Sequence, residues 1–175
     1  YYRVIDEYTL FYLTWIAPKS RKPISKNIDD RYWEALSSKP AWKAWSGYAF
    51  EAICFKHINQ IKKALFVPDG SDISSWRYTA DSKDRDGSID GAQIDLIFDR
   101  PDGVINLCEI KYCNAPFIID KKYASHIVNR EEIYCKVNKI DKQIFHSMIV
   151  SSGLKKNMYS EELISSVATL SDLFK

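Results

Sequence analysis

The sequence predicts an α/β fold with a helical N-terminal extension, and three observations carry that expectation. Apolar residues recur at helical spacing over residues 40–65. Two β-favouring runs flank the turn Arg100-Pro101-Asp102-Gly103. Helical periodicity then returns over 120–137, ahead of an apolar run at 143–151. With 175 residues, 46% hydrophobic and 27% charged, the chain can bury one core and carry an appended segment. Residues 1–38 are expected to form a helical extension or linker and residues 39–175 the folded domain.

From the N-terminus, Val4, Ile5, Tyr8, Phe11, Tyr12, Trp15 and Ile16 recur every three or four residues, one apolar face of a helix. Pro18 and residues 19–26 read as a polar linker with Pro23 inside it. Asp29 and Asp30 can cap a short helix through about Ser38. Pro40 suits the first turn of the next helix, where its missing N–H has no intrahelical acceptor. That helix is expected to continue to about Leu65. At 100° per residue, Phe50, Cys54, Ile58, Ile61 and Leu65 fall within about 80° of arc. Glu51 lies about 20° beyond Ile58, so a carboxylate borders the apolar stripe. Such a group needs a cation or an ion-pair partner; the alternative is a Glu that snorkels at the edge or bridges to a nearby Lys or Arg. His57 reads as a core histidine. Gly47, about 1 kcal/mol worse than Ala in a helix, reads as a close approach of another backbone.

Residues 69–91 turn polar, with a strand expected at 73–79 around Trp76 and Tyr78 and an exposed loop at 84–90. In a calcium-loop register Gln93 stands where a bidentate Glu is required and Ser82 at the first ligand, which argues against calcium. The cysteines at 54, 108, 113 and 135 form no CxxC pair, so reduced thiols are expected. There is no phosphate-binding GxxxxGK[ST] loop, and no apolar run of eighteen residues that would cross a membrane. A formal net charge of +2 neither demands nor excludes a polyanionic partner. The chain opens on Tyr1 with no signal-peptide pattern and reads as a cytoplasmic domain of a longer protein.

The informative segment is 93–112. Pro101 and Asp102 suit the middle of a type I turn, and Gly103 the left-handed residue that follows. A three-residue loop of this kind sets Arg100 opposite Val104, so paired residue numbers sum to 204. In that register Asp95 faces Glu109, and Lys111, two residues on, shares their side of the sheet. Two adjacent carboxylates repel unless a cation lies between them, and Mg²⁺ accepts one or two carboxylates while keeping water. Lys111 would then orient or deprotonate the attacking water, or offset charge on a phosphate. A cross-strand ion pair on a wet sheet face accounts for the same residues equally well.

The D…ExK pattern on a hairpin, preceded by a helix with an inward Glu, resembles the PD-(D/E)xK nuclease superfamily, although Ile94 replaces the naming Pro. The resemblance implies a restriction-endonuclease-like core of helix, three strands, helix and strand. It also implies Asp95, Glu109 and Glu51 as metal ligands and Lys111 as the catalytic base or orienting group. More narrowly, Trp45-Ser46-Gly47-Tyr48-Ala49-Phe50-Glu51, Gly91-Ala92-Gln93-Ile94-Asp95-Leu96, Cys108-Glu109-Ile110-Lys111, Asp120-Lys121-Lys122-Tyr123-Ala124 and Asp172-Leu173-Phe174 resemble the C-terminal region of a bacterial family of predicted AAA-type ATPases. That implies an upstream ATPase part, Mg²⁺ or Mn²⁺ as cofactor, and nucleic acid, DNA before RNA, as substrate. The alternative is a catalytically silent nucleic-acid-binding or regulatory module. Asp120 can cap a helix through about Val137 with Tyr123, Ile127, Arg130 and Tyr134 along one face. Lys121, Lys122 and Arg130 are candidate phosphate contacts, although the two lysines equally suit a solvated face. Beyond it are expected a buried strand at 143–151, a basic loop at 153–159, an edge strand at 165–170 and a short terminal helix.

Overall fold

The computed structural model describes residues 6–20, 31–79 and 91–175. Val4, Ile5, the proposed caps Asp29 and Asp30, and the loop at 84–90 lie outside the described residues. The chain divides between Lys56 and His57 into two compact units, whereas the sequence suggested a boundary at 38/39.

In the first unit, α1 (Glu7–Phe11), a π-helical turn (Tyr12–Ile16) and α2 (Ala17–Ser20) follow one another without a break. Asp6 caps α1, its carboxylate accepting the Thr9 N–H at 2.6 Å. Pro18 therefore lies within the helical run and does not end it. Its ring would crowd the carbonyl of Thr14, and it offers that carbonyl no N–H. The widened turn, in which the Ala17 N–H reaches the Tyr12 carbonyl, sits at that point. Next come α3 (Tyr32–Ser37) and α4 (Pro40–Lys56). Phe11, Trp15, Trp33, Trp42 and Trp45 pack with ring centroids 5.2–6.5 Å apart. Trp42 and Trp45 belong to α4, and their place in this aromatic cluster is why α4 groups with the N-terminal helices.

The single helix expected over 40–65 is interrupted. His57 leaves the helical region at φ −108°, ψ 31°, and α5 (Ile58–Ala64) starts after it. The His57 ring packs on Phe174 at 5.6 Å, so the residue at the break is committed to the second unit.

That unit contains β1 (Asp72–Tyr78), β2 (Ala92–Asp99), β3 (Val104–Lys111), α6 (Lys121–Asn138), β4 (Gln143–Val150), α7 (Met158–Leu163), β5 (Ile164–Thr169) and a 3₁₀ turn (Leu170–Phe174). The sheet runs in the order β1-β2-β3-β4-β5. Strands β1 to β3 pair antiparallel, and β3, β4 and β5 pair parallel. The protein is thus an α/β fold with a mixed five-stranded sheet flanked by helices, and a helical N-terminal part. Helix α6 supplies the crossover that parallel β3 and β4 require. Its Ala124 and Ile127 pack with Met148 and Val150, while its Tyr134 packs with Ile94, Ile97, Ile105 and Leu107. The sequence missed α7, whose first residues fall in the stretch read as a basic loop; Asn157 and Ser160 form its capping box.

The central turn follows its chemistry. Arg100 N–H donates to the Val104 carbonyl at 2.9 Å, and Gly103 takes φ +81°. The pairs from Asp99–Ile105 to Leu96–Cys108 all sum to 204. Gly47 departs from its expected reading, because a Cβ built there meets nothing within 4 Å. Two glycine substitutions should therefore move stability in opposite directions. Gly47→Ala should raise unfolding free energy by about 1 kcal/mol through helix propensity. Gly103→Ala should lower it by about 1 kcal/mol, since alanine is strained at that φ. Urea unfolding of each variant measures both.

Candidate active site

Glu109 sits near the C-terminal end of β3 with its side chain beneath α6, and it is 9% exposed. A carboxylate so far from water needs cations or donors on both oxygens. Lys111 Nζ lies 2.6 Å from Oε1, and the Tyr123 hydroxyl donates to that oxygen at 2.8 Å. Arg130 donates from Nη1 to Oε2. Both cations also lie by the Tyr123 ring, Lys111 Nζ at 5.9 Å and the Arg130 guanidinium at 6.0 Å from its centroid.

Helix geometry explains the grip from above. Tyr123 and Arg130 are two turns apart and so project from one side of α6, with the buried Ala124, Ile127 and Tyr134. Asp120 fixes where that helix begins by accepting the Tyr123 N–H at 2.7 Å. Burial pushes the Glu109 carboxyl up, but Arg130, then Lys111 and Tyr123, outweigh it and hold the group below its ordinary value. Burial, reinforced by the Glu109 charge, pushes the Tyr123 phenol far above its usual range, so it remains a donor. Next to this network, Glu131 Oε2 lies 2.6 Å from His146 Nε2, and Glu109, Arg130, Glu131 and His146 line one pocket.

The β2–β3 ladder keeps the register extrapolated from the turn as far as Leu96–Cys108, one pair short of Asp95. On the β1 side, Ser74 pairs with Ile97 and Trp76 with Ile94. One residue of β1, Ser75, is thus spanned by both Asp95 and Leu96 on β2, which is a β-bulge. The bulge lets Ile94 and Ile97, three apart, enter the same core cluster. Asp95 Oδ2 accepts the Ile110 N–H at 3.0 Å, and Oδ1 accepts Gln93 Nε2 at 3.2 Å. Gln93 Oε1 in turn accepts from the Arg77 guanidinium, with Nε at 3.0 Å. The Asp95 carboxylate is thus set on the β3 backbone at Ile110, the residue between Glu109 and Lys111.

Of the other sequence-derived candidates, Glu51 is on α4, half-buried, and belongs to the first unit. Lys121 and Lys122 are exposed at the start of α6, as a phosphate contact requires. Arg130 is not: its guanidinium turns inward onto Glu109. Sequence reasoning missed the roles of Tyr123 and Arg130 here, although their place on the apolar side of α6 was the available signal. Among the described residues, no three His, Cys, Asp or Glu side chains gather as a metal-sized group. Cys54, Cys108, Cys113 and Cys135 are all thiols, and burial pushes that of Cys108 well above its usual range.

A lowered carboxyl pKa stabilises the folded state above the unfolded-state value, and that stabilisation is lost as pH falls through the folded-state value. Glu109→Gln should therefore cost about 2 kcal/mol at pH 7 by stranding Arg130 and Lys111. The gap between parent and variant should close below the ordinary glutamate value of 4.5. Chemical denaturation across pH measures it, and a gap that is flat with pH contradicts the ion-pair account.

No protein-family model and no curated protein matches the chain. Among solved structures, a protein of unknown function, AF1548, aligns with 67% of this chain at 13% identity and a TM-score of 0.36. The aligned part spans 56% of that protein's chain.

Proposed function

We propose that the chain is a divalent-cation-dependent phosphodiesterase domain acting on nucleic acid, DNA before RNA by analogy with the PD-(D/E)xK superfamily. The observation that supports this reading is the pairing of Glu109 with Lys111 on β3, beside the strand that carries Asp95. An acid-bearing bulged strand lies beside an E-x-K strand, with Lys111 Nζ 2.6 Å from Glu109. The element order α5-β1-β2-β3-α6-β4 follows the helix, three strands, helix and strand that the resemblance implies, although α5 is not the helix that carries Glu51.

The donor set suits a hard cation. Asp95 and Glu109 offer carboxylate oxygens on neighbouring strands, and Mg²⁺ or Mn²⁺ takes one or two carboxylates with water in the remaining positions. Held by those two residues, such an ion would supply Lewis-acid chemistry toward a phosphate oxygen and a water. Lys111, 36% exposed at its side chain, has the access needed to orient a water or to offset charge on a phosphate. Lys121 and Lys122 are exposed cations for the substrate backbone, which would position it without reading sequence. An ATPase part upstream in the same polypeptide enters through the resemblance alone. Among the described residues, no helix is long and apolar enough to cross a membrane.

A second reading has its own support. Both oxygens of Glu109 are engaged by Lys111, Tyr123 and Arg130, as suits a catalytically silent binding or regulatory module of an ATPase. Incubation with plasmid and single-stranded DNA, with and without Mg²⁺ or Mn²⁺, separates the two. The enzyme reading expects metal-dependent cleavage that Glu109→Gln abolishes and Lys111→Ala slows by at least about 100-fold. Equal cleavage by the parent and Glu109→Gln rules it out. DNA binding without metal that survives Lys111→Ala, with no cleavage, favours the silent module.

A further inference from the structure

We infer that Arg130 is an internal counter-cation of Glu109 that sets how tightly the site takes a divalent ion. The inference rests on the metal-site reading above and concerns its regulation. Arg130 is held as a fixed part of the site: it projects with the buried Ile127 and Tyr134 from α6, and its side chain is only 24% exposed. Its guanidinium donates to Glu109 Oε2 and lies by the Tyr123 ring. Oε1 is meanwhile shared by Lys111 at 2.6 Å and Tyr123 at 2.8 Å.

Two positive charges thus stand on one carboxylate before any ion arrives. An ion ligated by Glu109 would sit within a few ångströms of the guanidinium, where repulsion is strong in a water-poor setting. Arg130 therefore keeps Glu109 ionised and aimed in the ion-free protein, and raises the ion concentration needed to fill the site. Of the two cations, Lys111 has the more exposed side chain and a flexible stem, while the planar guanidinium is the more buried. Arg130 is accordingly the positioning residue, and Lys111 is the one free to act on substrate.

The test is Mn²⁺ binding by calorimetry at pH 8 on the whole chain, comparing parent, Arg130→Gln, Arg130→Lys and Glu109→Gln. Arg130→Gln should bind Mn²⁺ about tenfold more tightly than the parent, Arg130→Lys should stay near the parent, and Glu109→Gln should lose the site. Equal affinity in parent and Arg130→Gln, with loss in Glu109→Gln, overturns the counter-cation role and leaves the metal-site reading intact. Absence of binding in every variant, or binding indifferent to Glu109→Gln, overturns both. A measurement on the parent alone covers a failure of Arg130→Gln to fold. The Arg130 Nε–H resonance should move on addition of Mg²⁺, and an unmoved resonance at saturating Mg²⁺ also overturns the inference.

Discussion

Taking a carboxylate out of water costs several kcal/mol unless charge and hydrogen bonds replace the lost hydration. Glu109 imposes that requirement at the centre of the second unit, and much of the surrounding architecture answers it. Strand β3 must turn Glu109 and Lys111 to one face, and α6 must cross that face with Tyr123 and Arg130 directed inward. The Asp120 cap sets the start of α6 and so the phase of those two side chains. Ala124, Ile127 and Tyr134 then bury on the same side, joining the clusters that hold β2, β3 and β4 against the helix. The apolar packing and the ion network therefore depend on the same helical register.

The bulge in β2 is the second constraint. Without it, Ile94 would leave the core cluster that contains Ile97, Ile105 and Leu107. With it, Asp95 takes the Ile110 N–H as its hydrogen-bond donor and is buttressed by Gln93 and Arg77. One inserted residue thus serves two ends, keeping the apolar alternation in phase and aiming an acid at the next strand. Bulges placed beside chemistry-bearing groups commonly re-aim a side chain in this way. On the proposed reading, the acid so aimed is a metal ligand.

What could be read in the sequence was set by local chemistry. Pro101, Asp102 and Gly103 specify the turn, and the turn specifies the 204 register through Leu96–Cys108. Asp120 announced α6, and apolar spacing announced β4. The features that escaped depend on partners distant in the chain. The bulge at Asp95 arises from pairing with β1, across a polar stretch that fixes no register of its own. The break at His57 belongs with Phe174, more than a hundred residues away. Pro18, a helix breaker by local rules, is accommodated by a π turn. Arg130 was visible on the apolar side of its helix, yet a basic residue near two exposed lysines invites a phosphate reading. The position of Glu109 beneath it gives that cation a partner within the protein.

The claim at the centre is that Glu109, though buried, is an ionised carboxylate held by Arg130, Lys111 and Tyr123. Its carboxyl carbon, followed by ¹³C NMR across pH in the metal-free protein, reports this directly. A titration midpoint below the ordinary glutamate value of 4.5 is the expected result. A midpoint at or above that value would mean that burial prevails over the cations, and the network described around Glu109 would not hold.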